Sequence, residues 1–155
     1  MSDRLSALSC LVNSDTEKGK SYNNEALDDF LSDTHILICT LPLTSATENI
    51  LNRRLFEKLP QGAYLINVAR GEHLIEEDLL DMLASGHLSG ACLDVFREEP
   101  LPVNHPFWGQ TEIVITPHIA SLTNPKAVVP QIVENYYRMK SGTRLLHLVD
   151  RKRGY

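Results

Sequence analysis

Long apolar runs are missing from this sequence. The stretch His35-Ile36-Leu37-Ile38-Cys39-Thr40-Leu41 is far shorter than the roughly 20 residues a membrane helix needs, and no hydrophobic signal region opens the chain. No membrane association and a cytoplasmic location are expected. Cysteine is scarce: Cys10, Cys39 and Cys92 each lie in an apolar stretch, with the spacing of neither a zinc site nor a complete disulfide set. They read as buried thiols in a reducing compartment. Positive charge is in deficit, with 15 Lys and Arg against 20 Asp and Glu and a formal charge of −5, which excludes a protein whose main task is gripping phosphate backbones. Nucleic acid is not an expected partner. His35, His73, His87, His105 and His147 share no ligand spacing of the HxxxH kind, so no metal is expected. Internal repeats and linkers rich in Gly, Ser or Pro are also lacking.

What is present is a globular balance: 155 residues, 43% hydrophobic and 23% charged. A chain of this size buries roughly 70% of the surface its unfolded form exposes, enough for a single folded domain without staples. Strand-length apolar runs alternate with helix-period segments, the pattern of βα units feeding a parallel sheet. Strands are predicted over residues 8–12, 35–40, 63–68, 89–95 and 113–115, the second apolar on both faces as in a sheet covered on two sides. A helix behind Asn24 carries Ala26, Leu27, Phe30 and Leu31 at helical spacing. A second is capped by Asn52 and ends at Pro60-Gln61-Gly62. A third opens on Glu76-Glu77-Asp78, a charge cluster that suits a helix start better than a catalytic acid pair, and closes at Gly86. Asn124 and Pro125 open a last helical segment reaching about Lys140, in which Pro130 is predicted to start a second helix or to place a kink. The loop holding Glu98-Glu99-Pro100-Leu101-Pro102 and Pro106-Phe107-Trp108 is too long for a simple connection, and such loops usually carry function.

Ligands of doubly wound sheets bind outside the carboxyl ends of the strands, so polar residues just after strands are the first candidates. Arg70, in Asn67-Val68-Ala69-Arg70-Gly71, offers a guanidinium fork that matches a carboxylate with two parallel hydrogen bonds. Gly71 permits a sharp turn or a close approach of backbone to a ligand. His118, in Thr116-Pro117-His118, can exchange a proton near neutral pH. Glu99 taken alone is an ordinary solvated carboxylate. Brought to His118 by the fold, it would bond one ring nitrogen, set the tautomer and favour the imidazolium. A Glu–His pair with an arginine nearby suits reduction of a 2-keto acid, with the carboxylate anchored and the carbonyl oxygen protonated. Ser9 and Ser121 sit in no nucleophile motif.

Four ordered motifs carry a resemblance that spans nearly the whole chain. Leu41-Pro42-Leu43-Thr44, Asn67-Val68-Ala69-Arg70-Gly71, Leu93-Asp94-Val95-Phe96-Arg97-Glu98-Glu99-Pro100-Leu101-Pro102 and Thr116-Pro117-His118-Ile119-Ala120 resemble the carboxyl half of the D-isomer-specific 2-hydroxyacid dehydrogenases. The ending Val149-Asp150-Arg151-Lys152-Arg153-Gly154-Tyr155 is similar to the glyoxylate/hydroxypyruvate reductase A branch. The resemblance implies hydride transfer from a nicotinamide cofactor, NADP or NAD, to the keto carbon of glyoxylate, hydroxypyruvate or a similar small acid. Arg70 would bind the substrate carboxylate and polarise the carbonyl, His118 would donate the proton, and Glu99 would orient and charge His118. Asp94 and the backbone around Val68 and Ala120 would hold the nicotinamide end, where Ala69, Arg70 and His118 would also meet the cofactor. Leu41 and Pro42 would line its adenosine side.

The departures from the family pattern set further expectations. Members are about twice as long, and no GxGxxG turn occurs in these 155 residues. The expected fold is a partial Rossmann-type doubly wound parallel sheet lacking its first βα unit, plus a C-terminal helical segment. Residues 1–124 form the cofactor domain, and residues 125–155 return toward a substrate domain outside this sequence. An interrupted gene, an internal start or a trimmed chain accounts for such a sequence, and a separate amino-terminal half is one conceivable partner. Family members are dimers built mainly through the cofactor domain, so a homodimer is expected. A sheet edge without its neighbour further predicts reduced stability or association. Where the reductase branch places arginines for the NADP 2′-phosphate, this chain has Asn13-Ser14-Asp15-Thr16-Glu17-Lys18. Asp15 or Glu17 suits a free ribose hydroxyl, while Lys18 and Lys20 leave NADP open. Two rivals stand beside the reductase: a folded remnant without turnover, and another enzyme on the same fold, such as a formate dehydrogenase, which has Gln where Glu99 stands.

Overall fold

The computed structural model describes residues 26–121 and 123–149. The strand expected at residues 8–12, the Asn24 cap, Cys10, the stretch 13–20 that bears on the expected cofactor preference and the tail from Asp150 onward lie outside the described residues.

Four short runs rich in Ile, Leu, Val and small residues form a parallel sheet: β1 (Ile36–Cys39), β2 (Ala63–Asn67), β3 (Leu88–Leu93) and β4 (Ile113–Ile115), in the order β1-β2-β3-β4. Leu37, Leu65, Ala91 and Ile113 stand side by side across the sheet, as do Ile38, Ile66, Cys92 and Val114 on the other face. Sequential order with right-handed crossovers places every crossover on one face of the sheet. The burial of β1 agrees, because Leu37 and Cys39 are buried while Ile36 and Ile38 are exposed. The expectation that this strand is covered on both faces is therefore corrected for the described residues.

The helices are α1 (Leu27–Ser32), α2 (Arg53–Phe56), α3 (Glu76–Ala84) and α4 (Pro125–Lys140). Phe30 and Leu31 of α1, Leu55 and Phe56 of α2, and Leu79, Met82 and Leu83 of α3 join Leu37, Leu65 and Leu93 in one apolar cluster. Each large side chain fully buried there contributes about 1.5–3 kcal/mol of transfer free energy. Asn52 caps α2 by accepting from the Leu55 amide at 3.1 Å. Asp78, in the acidic first turn of α3, accepts from the Arg53 amide at 2.8 Å and so ties the two helix starts together. Gly86, at φ +71°, turns the chain after α3 into β3 at little steric cost.

Asn124 caps α4 through the Lys126 amide at 3.0 Å, and the helix then runs unbroken through Pro130. No second helix begins there. The proline removes one amide donor, and the carbonyl it leaves unserved belongs to Lys126 in the exposed first turn, which water can reach. No residue of α4 is buried.

The long connection between β3 and β4 is anchored. Phe107 is buried in the core within a 3-10 turn (Pro106–Gly109), Trp108 Nε1 donates to the Pro102 carbonyl at 2.8 Å, and His105 Nε2 lies 3.3 Å from Glu76 Oε2. Those ties hold the loop that carries Glu99.

Candidate active site

All the candidate residues fall at the carboxyl ends of β1 to β4 or in the loops that leave them. The exit from β2 is shaped by Asn67, which is buried and uses its whole amide: Oδ1 accepts from the Ala69 amide and Nδ2 donates to the Arg70 carbonyl, both at 3.1 Å. The chain is thereby turned at the strand end and Arg70 is set beyond it. Arg70 is exposed, with Nη1 donating to the Ala69 carbonyl at 2.6 Å. Gly71 then passes against the next loop. A Cβ built there would stand within 2.4 Å of the Phe96 carbonyl group and the Arg97 nitrogen. The close approach anticipated at this glycine is thus to the backbone of the Glu99 loop.

Asp94 follows β3 and is 2% exposed. Its carboxylate accepts from Thr116 Oγ1, from the Ile119 amide at 2.9 Å and from the Ala120 amide at 2.9 Å. Burial pushes its pKa up, but the bonds from Thr116, Ala120 and Ile119, together with the charge of His118, outweigh that and hold it below the usual aspartate value. The effect is to clamp the turn after β4. His118, within that turn, takes φ +52°, a left-handed conformation that His adopts more readily than β-branched residues do.

Glu99 and His118, 19 residues apart in sequence, meet with Oε2 2.8 Å from Nδ1. Glu99 Oε1 accepts from the Phe96 amide at 3.0 Å, so both carboxylate oxygens are engaged. The His118 bond lowers the Glu99 pKa most. Burial opposes it, while the Phe96 amide and the charges of His118 and Arg70 add to the lowering. Arg70 makes no hydrogen bond to either residue, yet its guanidinium is near enough for its charge to act on the carboxylate. An ionised Glu99 accepts the Nδ1 proton and leaves Nε2 as the nitrogen free to serve a ligand. With side chains 49% and 37% exposed, His118 and Glu99 remain accessible.

The other candidates contribute walls. Leu41 and Ala69 are buried members of the apolar cluster, so mainly their backbone faces a ligand. Pro42 is half-buried, and its carbonyl accepts from Thr47 Oγ1 at 2.7 Å. Val68 is half-buried and Ala120 exposed. Reading the sequence alone left Asn67 and Thr116 without roles. The only signal was their place, one at the last residue of a strand and the other just past one.

A parallel α/β sheet of the Rossmann type, with a carboxylate-backed imidazole and an arginine at the carboxyl end of its strands, has the architecture of a nucleotide-binding domain. Residues 6–120 match the family described as "D-isomer specific 2-hydroxyacid dehydrogenase, NAD binding domain". Solved structures agree. One is a D-isomer specific 2-hydroxyacid dehydrogenase from Xanthobacter autotrophicus Py2 in complex with NADPH and MES, 45% identical with a TM-score of 0.82, the match covering 86% of this chain and 55% of that one. Another, from Klebsiella pneumoniae 342, is 47% identical with a TM-score of 0.76, over 84% of this chain and 42% of that one. The NADPH-dependent glyoxylate/hydroxypyruvate reductase of Sinorhizobium meliloti, solved with NADP and sulfate, is 39% identical with a TM-score of 0.80, over 86% and 44%. The chain belongs to the D-isomer specific 2-hydroxyacid dehydrogenase family. It spans about half the length of these relatives.

Proposed function

We propose that this chain supplies the cofactor domain and the acid–base residues of a reductase that converts a small 2-keto acid, glyoxylate or hydroxypyruvate, to the D-2-hydroxy acid with NADPH or NADH. The observation that carries the reading is the 2.8 Å bond between Glu99 and His118 beside the charge of Arg70. NADPH and NADP in the Xanthobacter and Sinorhizobium structures favour the phosphorylated cofactor. Arg70 would release the Ala69 carbonyl and grip the substrate carboxylate with its fork. His118 would hold a proton at Nε2 for the carbonyl oxygen, and Glu99 at Nδ1 would stabilise the imidazolium that carries it. Asp94 would keep the His118 turn and the Ala120 backbone in place beside the nicotinamide, with Val68 and Ala69 opposite and Leu41 and Pro42 on the adenosine side. The reduced nicotinamide, when bound, supplies the hydride.

In this reading residues 1–124 are cofactor domain and residues 125–155 lead toward the substrate domain, with a homodimer as the working assembly. A second reading, a folded remnant without turnover, is favoured by one feature: no glycine-rich pyrophosphate turn occurs among these 155 residues. Oxidation of NADPH and NADH with glyoxylate and hydroxypyruvate separates the two, using this chain alone and then mixed with an amino-terminal half from a relative. Turnover in either case supports the reductase. A folded chain with no turnover and no cofactor binding in both leaves the remnant.

A further inference from the structure

Arg97 stands two residues before Glu99, and its guanidinium reaches the connections that follow β1 and β2. Nε donates to the Leu74 carbonyl at 2.8 Å, and Nη2 donates to the Glu72 carbonyl at 3.1 Å and to Asn49 Oδ1. One N–H serves each neutral oxygen, so the planar fork is matched without sharing a proton. The acceptors already belong to one unit. The Asn49 amide donates to the Glu72 carbonyl at 2.9 Å, the Leu51 amide to the His73 carbonyl at 2.9 Å and the Ile75 amide to the Leu51 carbonyl at 3.0 Å. The loop of Glu99 is outside that network. Among the described residues, no backbone hydrogen bond runs from residues 95–104 to residues 49–75. Phe96 only packs on Gly71, and His105 ties the far end of the loop to Glu76.

Glu99 closes a tight turn around Arg97, with Oε1 accepting from the Phe96 amide at 3.0 Å and Oε2 lying 2.8 Å from His118 Nδ1. Where that turn sits therefore decides where the carboxylate stands. Resting on the functional reading above, we propose that Arg97 is a positioning residue: its guanidinium seats the turn from Phe96 to Glu99 on the joined connections after β1 and β2, and so holds Glu99 where it meets His118. A lysine would carry the same charge on a flexible stem but would offer one nitrogen where this site uses two. The fork, not the charge, is what the three oxygens match.

The test uses the 155-residue chain with Arg97→Met, Arg97→Lys and Asn49→Gly, the last removing one acceptor at φ +57°, where glycine is at ease. Nitrogen NMR of the histidine side chains, at a pH where the ring is neutral, reads which nitrogen of His118 carries the proton. Amide exchange by NMR reads the Phe96 bond to Glu99, with β2 and β3 as internal references. In the unsubstituted chain the His118 proton should sit on Nδ1. Arg97→Met should move the ring toward the Nε2-protonated form that a free histidine side chain prefers, and speed Phe96 exchange about tenfold with the strands unchanged. Arg97→Lys should follow Arg97→Met, while Asn49→Gly, losing one bond of the three, should speed Phe96 exchange about threefold. An unmoved His118 ring and Phe96 amide in Arg97→Met, a lysine variant that matches the unsubstituted chain, or acceleration spread evenly through the strands would overturn the proposal. If Arg97→Met does not fold, Asn49→Gly decides, and unchanged Phe96 exchange there overturns it. A His118 proton on Nε2 in the unsubstituted chain removes the Glu99–His118 pair, and both this proposal and the functional reading fall. A proton on Nδ1 that no Arg97 variant disturbs removes this proposal alone.

Discussion

Gly71 and Phe96 touch backbone to backbone: a Cβ on the glycine would stand 1.9 Å from the Phe96 carbonyl carbon. This contact seats the loop of Arg70 on the loop of Glu99, and both partners are main chain, so neither can swing away. Gly71→Ala must therefore push the loops apart. We expect a loss of about 1–3 kcal/mol, the range for overpacking, read as a lower denaturant midpoint with an unchanged slope. Wild-type stability in the variant would show that the loops are not in register as described.

Asp94→Asn tests the clamp on the His118 turn. Folding holds the Asp94 pKa below its usual 3.8, so the folded state takes up this proton less readily than the unfolded chain. The stability it contributes is complete above that value and is lost as pH falls through the lower folded value. Asn keeps one acceptor and loses the charge, which should cost about 1–3 kcal/mol at neutral pH. The gap between the two proteins should then narrow in acid below pH 3.8. A gap that stays constant across an acid titration of unfolding would contradict the charged clamp.

Glu99→Gln retains size and can still bond a ring nitrogen, but it no longer stabilises an imidazolium. In an active assembly with a supplied amino-terminal half, kcat should fall on the order of 10²-fold, within the range for acid–base groups. KM for the keto acid should change little, because Arg70 is untouched. The steady-state parameters check this, and an unaltered kcat would remove Glu99 from the mechanism and favour the formate-type rival.

Asn52→Ala removes the side-chain acceptor for the Leu55 amide at the start of α2. About 1 kcal/mol of stability should be lost. Equilibrium denaturation measures it, and because the cap lies away from the strand-end residues, cofactor affinity should not move.

Val129, Ile132 and Tyr136 along α4 are each more than half exposed, and the row Ile38, Ile66, Cys92 and Val114 is only partly covered among the described residues. Apolar faces of this kind associate or bind dye. Sedimentation velocity should show concentration-dependent self-association, and an apolar dye should brighten. A monomer at every concentration, with no dye signal, would mean that both faces are occupied within one chain.

Much of the fold is legible in the chain because its signals are local. The Asn52 and Asn124 caps, the acidic opening of α3, Gly86 after it, and the apolar runs at Ile36–Cys39, Ala63–Asn67 and Ile113–Ile115 each act within a turn or two. Misreadings arise where the outcome depends on distant packing. The apolar faces of β1 do not reveal which side a helix covers, and Pro130 alone does not reveal that no second helix starts there.

The amino-acid sequence by itself determined the class of fold, the family, and the placing of Arg70, Glu99 and His118 just beyond strand ends, since periodicity and motif order are written along the chain. Only the tertiary structure decided that Glu99 reaches His118, that Gly71 leans on Phe96, and that Asp94 gathers Thr116, Ile119 and Ala120. These partners are 19 to 26 residues apart in sequence. Their meeting depends on parallel strands in a particular register, and on hydrogen bonds that form only once the core has excluded water.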